Sequence, residues 1–388
     1  MKIRGRALVL AVSMPIIAFA VIGGFMSKAI AREDSYQYLR IFEDVVSLIL
    51  NNYVEEVNVD KVMHGAMHGL ADGLDPDSAY LDINQVKVLD KGDLGGSGQT
   101  GVELTRQYYL RVIAARDGSP AAKAGLVPGD YIRAIDGQST RDVTVYEGAR
   151  LLRGKPGTKV HLTVIRGNAA EPHEMDLVRE ELPAAPVKSR IAAPGVGYLR
   201  VAEFAKGTPE QIKSEISSVS KAGAKNVIID LRGTAFGDVE AGLAAARLFV
   251  KSGVLVYRQD RGKDKEAVSA AASDGAITIN TVLLTDNGTS NGAEVFAAAL
   301  AGNKRATLVG ERTLGRAARQ KLVRLPDGSG LMLTHLIYMT PASVAIHEKG
   351  LVPDVAVEQP DVDFGQPAAV KDATLEKAIE SLTVKAAA

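Results

Sequence analysis

The sequence predicts an α/β multidomain protein: N-terminal helices, a small α+β domain, and an α/β core on a largely parallel sheet. Three features carry this reading. The chain has 388 residues, more than a single core usually serves. Two strand-like runs, Tyr108–Ala115 and Lys159–Arg166, flank a segment dense in turn residues. Beyond Pro183, apolar strand-like runs alternate with helix-like segments, the pattern of parallel strands joined by crossover helices. The boundaries that follow are 1–31, 32–90, 91–182, 183–360 and 361–388.

The first segment reads as an export signal. Lys2, Arg4 and Arg6 precede an uncharged apolar run, Ala7 to Met26, long enough to span a bilayer. Ala29-Ile30-Ala31 then has the small-x-small form of a cleavage site, so an uncleaved inner-membrane anchor and a cleaved signal peptide are both open. Positive charge on the short N-terminal side keeps that side in the cytoplasm and sends the rest across, which places the working part in the cell envelope, periplasmic or extracytoplasmic.

Leu39, Phe42, Val46, Leu48 and Leu50 recur near helical spacing, which predicts an amphipathic helix over Tyr36–Tyr53, and a second is expected over Val59–Leu70. The segment GLDPDSAYLD, Gly73–Asp82, has the turn chemistry of an ordinary helix-to-strand connection. Glycines crowd 92–101 and mark a boundary.

Between the two strand-like runs, Ser119-Pro120 starts a short helix, Gly125 breaks it, Pro128-Gly129-Asp130 turns, and Asp136-Gly137 makes a hairpin. A helix over Val145–Leu152 ends before Gly154. After Pro183 come the strand Gly197–Phe204, a polar helix Thr208–Lys221, the strand Asn226–Asp230, an alanine-rich helix Val239–Phe249, the strand Thr281–Thr285 and a helix Gly292–Leu300.

Charge and composition narrow the function. Basic and acidic residues balance at 46 each, so no basic footprint argues for nucleic acid. The absence of cysteine removes thiol nucleophiles and thiolate metal sites. No HExxH and no carboxylate cluster argues for a metal, and no cofactor is expected. None of the histidines, His64, His68, His161, His173, His335 and His347, stands beside a serine it could activate.

The segment GSPAAKAGLVPGD, Gly118–Asp130, resembles a PDZ domain as found in bacterial envelope proteases. The resemblance implies that a free C-terminus adds as a strand to a sheet edge while loop N–H groups receive its carboxylate. By that resemblance the loop is Thr100-Gly101-Val102-Glu103, and the facing helix presents Val145, Ala149 and Leu152 to the groove. Small apolar C-terminal residues should fit it best.

GYLRVAEF, IIDLRG, GAEVFAAAL, RATLVGERTLG and GLVPDV, with LDPDSAYLD before them, resemble the C-terminal processing, or tail-specific, serine peptidases in order and spacing. That family's chemistry uses a serine activated by a lysine, a glutamine orienting the lysine, and backbone N–H groups holding the oxyanion. At the matching places this chain has Asn291 for the serine and Arg316 for the lysine; Gln320 alone remains. Ala235-Phe236, before Gly237, replace the Pro-Gly of the oxyanion turn. A carboxamide is not a useful nucleophile, and a guanidinium with a pKa above about 12 cannot be a neutral base. Asn291 instead suits an N-cap, with Glu294 completing a capping box.

Three functions follow as alternatives. The first is a proteolytically inactive relative that binds the C-terminal tails of envelope proteins as an adaptor or regulator. The second is an active serine endopeptidase with a shifted pair, Ser290 and Lys321. The third is a structural assembly protein forming a homodimer through its N-terminal helices, as the resemblance allows.

Overall fold

The structure, a computed structural model, describes residues 36–167, 171–359, 364 and 371–384. The segment expected to direct export, 1–31, lies outside them, and among the described residues no helix is long and apolar enough to cross a membrane.

The chain divides between Gly69 and Leu70 into two compact units. The first holds the helix 36–52 and most of the helix Val59–Asp72. Ala79–Leu81 and the helix Ile83–Asp90 fall in the larger unit. Ala79–Leu81 is a strand, paired antiparallel with Gly330–Met339, Tyr80 opposite Leu331. The turn before it forms because the Asp75 carboxylate accepts from the Asp77 and Ser78 N–H groups and the Ser78 hydroxyl.

The PDZ-like region is a six-stranded antiparallel sheet in the order Val102–Gln107, Tyr109–Ala115, Tyr131–Ile135, Lys159–Ile165, His173–Val178, with Gln138–Ser139 also on Tyr131–Ile135. Ser119 caps Pro120–Lys123 by accepting the Ala122 N–H at 3.2 Å. Asp136 (φ 48°) and Gly137 (φ 79°) form the two-residue turn to Gln138–Ser139, a geometry that needs two positive φ angles. Leu110, Ile132, Ile135, Leu162 and Leu177 form the core beneath the helix Val145–Leu151. A Cβ on Gly148 would lie 2.3 Å from Leu110 Cδ1, so this helix rides directly on the sheet. Val102–Gln107 is the edge strand.

The second sheet runs Val355–Ala356, Ala306–Gly310, Asn280–Thr285, Asn226–Asp230, Val196–Arg200, Lys188–Ala193, parallel except for its last pair. Strand alternation sends Val227, Ile229 and Leu283 into one buried cluster with the helices Thr208–Lys221, Val239–Arg247 and Gly292–Gly302. Ile228, Val282 and Leu284 face the opposite side, against Ala378 and Leu382 of the helix Ala373–Val384. Burying each such side chain contributes about 1.5–3 kcal/mol.

Two features depart from the sequence reading. The run over 197–204 breaks into Val196–Arg200 and Glu203–Phe204, the second pairing with Phe236–Gly237. A further antiparallel sheet joins Ala79–Leu81, Gly330–Met339, Val254–Asp260 and Glu266–Ser269, with Ala318–Arg324 also on Gly330–Met339. Its strands carry Arg258, Lys321 and Arg324 on partly exposed faces, which blurs the apolar alternation.

Candidate active site and peptide groove

The site forms where the loops after Asn226–Asp230 and Asn280–Thr285 meet the N-terminus of the helix Gly292–Gly302, at the C-terminal ends of parallel strands. Asp286 fastens these loops. Its carboxylate accepts from Gly233 N–H at 2.8 Å, Gly288 N–H at 3.0 Å and the Thr289 hydroxyl at 3.1 Å, and burial pushes its pKa up.

Asn291 turns the chain into the helix with φ 56° and ψ −120°, a left-handed conformation that costs energy for a non-glycine residue. Asn291 N–H donates to Glu294 Oε2 at 3.2 Å, the glutamate half of the expected capping box. The carboxamide nitrogen leaves the helix and donates to Gly237 O at 3.0 Å. A sharply turned residue thus stands where the resemblance places the nucleophile, held by its own side chain to Gly237 of the expected oxyanion turn.

Ser290 is 1% exposed, and its Oγ has no hydrogen-bond partner. Among the described residues, no lysine amine is therefore within hydrogen-bond reach of it. Lys321 is exposed, on the strand Ala318–Arg324 opposite Leu333. The shifted Ser290–Lys321 pair is not assembled.

Arg316 is the best-anchored residue of the site. Its Nε lies 2.9 and 2.8 Å from the two Asp77 carboxylate oxygens, Nη2 is 2.7 Å from Asp77 Oδ1, and Nη1 is 2.8 Å from Glu103 Oε1. Burial alone would weaken the guanidinium's hold on its proton, but the Asp77 and Glu103 charges outweigh it and its pKa rises. Burial likewise lifts the Glu103 carboxyl, with Arg316 opposing. The backbone at Arg316 is fixed too. Glu294, fully buried, accepts from Arg316 N–H at 2.7 Å, Gly315 N–H at 2.6 Å and the Thr313 hydroxyl, while desolvation pushes its carboxyl up to about 7. Gln320, expected to orient the base, donates instead to Thr334 Oγ1 at 3.2 Å.

The turn Ala235-Phe236-Gly237 packs against the PDZ-like domain. Ala235 is buried with Ile113 and Ala114 of the strand Tyr109–Ala115, and Phe236 packs on the same cluster. Gly237 (φ 101°) must be glycine, since a Cβ would lie 2.0 Å from Phe204 O.

In the peptide-binding region, Thr100 O and Gly101 O accept from Ala121 and Arg116 N–H at 3.0 and 2.8 Å, which tucks the loop inward. A Cβ on Gly101 (φ 78°) would lie 2.2 Å from Ser119 Cβ. Among the described residues, Thr100 N–H and Gly101 N–H make no hydrogen bond, leaving two donors at the start of the edge strand. Val102 packs on the domain core, and Glu103 turns to Arg316. The helix face differs from expectation. Leu152 is 2% exposed within the domain core and Val145 packs against that core, so neither lines an open groove. Ala149 is exposed and lines a cleft of about 380 Å³ with Leu81, Val88, Leu89, Leu94 and Tyr146.

Sequence reasoning missed Asp77, placed in an ordinary connection, and Asp286. The one signal for Asp77 was an acid in a turn otherwise explained by Asp75. Nothing local could have paired it with Arg316.

Residues 195–357 match peptidase family S41, and residues 111–166 match the PDZ domain. The carboxyl-terminal-processing protease of Synechocystis sp. is 34% identical over 305 residues, covering 77% of this chain and 70% of that protein. The carboxy-terminal processing protease CtpA of Bacillus subtilis is 31% identical over 315 residues, covering 81% and 67%. Among solved structures, the photosystem II D1 C-terminal processing protease is similar with a TM-score of 0.68 at 27% identity, over 82% of this chain and 92% of that one.

Proposed function

The chain belongs to the carboxyl-terminal processing proteases of peptidase family S41, and on that premise we propose that it is a proteolytically silent member that holds protein C-termini on its PDZ domain. The observation that carries the proposal is Arg316, at the base position, locked on two carboxylates. A general base must be neutral at working pH, and this group is held charged. Asn291 supplies no acidic O–H at the nucleophile position. The peptide apparatus survives better, with an edge strand, two free loop N–H groups and an adjoining helix. Such a protein would act as adaptor, competitor or regulator for tails handled in the cell envelope, with the apolar run Ala7–Met26 supporting that location.

The experiment pairs two assays on the purified chain. Incubation with an unstructured protein bearing a small apolar tail should give no cleavage. Fluorescence anisotropy should detect weak binding of a peptide with the same free C-terminus. Cleavage by the unmodified chain that disappears in Ser290→Ala would replace the proposal with an active enzyme.

A second reading, dimeric assembly, draws support from Tyr38, Leu39, Ile41, Val45 and Leu48, all exposed on the helix 36–52. It is tested by oligomeric mass with and without residues 36–56. A deletion reaching residue 90 would also remove Asp77 and the strand Ala79–Leu81, and would confound the result.

A further inference from the structure

The chain contains two Asn-Gly pairs in one loop, Asn287-Gly288 and Asn291-Gly292. Asn-Gly is the dipeptide in which the following backbone nitrogen most readily attacks the carboxamide, because glycine has no side chain to obstruct it. By sequence the two pairs are equivalent, and the fold separates them.

We propose that Asn291 is a site of spontaneous conversion to aspartate and isoaspartate through a succinimide, built into the native fold. At an L-residue, Cβ lies about 120° from N around the Cα–C bond. The ψ of −120° at Asn291 therefore turns Gly292 N into near-eclipse with Cβ, the flat arrangement a five-membered imide requires. An ordinary residue must leave its helical or extended basin to reach this geometry, whereas Asn291 is held in it. Gly292 is the first residue of its helix, and among the described residues its N–H makes no hydrogen bond. Asn291 is half-buried, so water reaches the product. Gly292 is itself required by packing, since a Cβ there would lie 2.3 Å from Asp238 O.

The neighbouring pair differs. Asn287 does not share the positive-φ backbone of Asn291, and the Gly288 N–H donates to Asp286 Oδ1 at 3.0 Å, which keeps its proton engaged.

In the reaction, Gly292 N forms a bond to Asn291 Cγ, the bond from Cγ to the amide nitrogen breaks, and ammonia leaves with the proton that Gly292 N gave up. Water then opens the imide. Addition at Cγ restores the Gly292 amide and yields aspartate, and addition at the main-chain carbonyl yields isoaspartate. Either product removes the donor to Gly237 O and sets a carboxylate in its place, and isoaspartate also lengthens the backbone at the turn into the helix.

The test follows the full chain through days at mildly alkaline pH, native and in urea, reading each position by fragment-ion mass for a gain of about 1 Da. In the native chain, conversion at Asn291 should exceed that at Asn287 by at least about tenfold, the scale expected of a preoriented attack. In urea the two rates should converge. The Asn291→Ser chain should lose the signal at 291 alone. Native conversion at Asn287 equal to or faster than at Asn291 would overturn the proposal, as would an Asn291 that stays intact while the unfolded chain converts.

Discussion

Asp77 and Arg316, 239 residues apart in the chain, meet side-on through two guanidinium nitrogens and both carboxylate oxygens. The contact ties the turn before Ala79–Leu81 to the loop that would carry a catalytic lysine, and Glu103 extends it into the PDZ edge strand. Its consequence for chemistry is that the acids would hold any cation there in its charged form.

Restoring the family's residues should therefore not restore activity at once. Asn291→Ser, Arg316→Lys and the two together should all leave an unstructured tail uncut, because the new lysine faces Asp77 and stays protonated. Measurable cleavage should need Asp77→Asn and Phe236→Gly in addition. Strong cleavage by the simple double variant, followed by gel and mass analysis, would show that Asp77 does not control the base.

Arg316→Ala should be costly for stability, since it leaves Asp77, itself 4% exposed, and Glu103 without their cation. Urea unfolding should show a loss of about 3–5 kcal/mol. The combined change Asp77→Asn, Glu103→Gln, Arg316→Met should recover most of it, as an uncharged cluster needs no pairing. A triple variant as unstable as Arg316→Ala would assign the loss to shape, not charge.

Peptide binding should depend on the terminal carboxylate. C-terminal amidation of an apolar peptide should abolish the anisotropy signal, because Thr100 and Gly101 N–H lose their anion. Leu152→Ala should act through the core instead, costing about 2–5 kcal/mol by opening a cavity. Unchanged stability in Leu152→Ala would return that residue to the groove.

Glu294 makes stability depend on pH. Its carboxyl rises from 4.5 to about 7 on folding, so the folded chain binds the extra proton between those values. The stabilising contribution is complete below pH 4.5 and declines as pH rises to about 7, by about 3 kcal/mol. The stability difference between the native chain and Glu294→Gln should shrink over that interval. A difference that grows instead would mean the carboxylate is favoured by its N–H donors over its burial.

Local pattern revealed much of this molecule. The short apolar runs NVIID and TVLLT, spaced by helical segments, placed the parallel strands, Asp136-Gly137 gave its hairpin, and the spacing from Asn291 to Glu294 gave the helix start. What stayed hidden depends on distant pairing. Asp77 has no meaning in its own turn, which Asp75 already explains, and it acquires one only beside Arg316. Leu152 carries the same periodic signal whether it faces a groove or a core, and the close seat of Gly148 on Leu110 decides between them. The polar strands around Lys321 and Arg324 show no clean alternation because one side of their sheet meets water.

The pairing of Ala79–Leu81 with Gly330–Met339 also sets an order of events during synthesis. A chain made from its N-terminus carries that strand long before its partner exists, and Ser78 waits for Thr334, 256 residues later. Until then Ala79–Leu81 is an unpaired edge, open to strands of other chains. The PDZ domain, whose sheet closes over 102–178, can fold meanwhile. Ala79–Leu81 is thus made early and is among the last elements to be locked, and newly made chains are most exposed to misassembly in that interval.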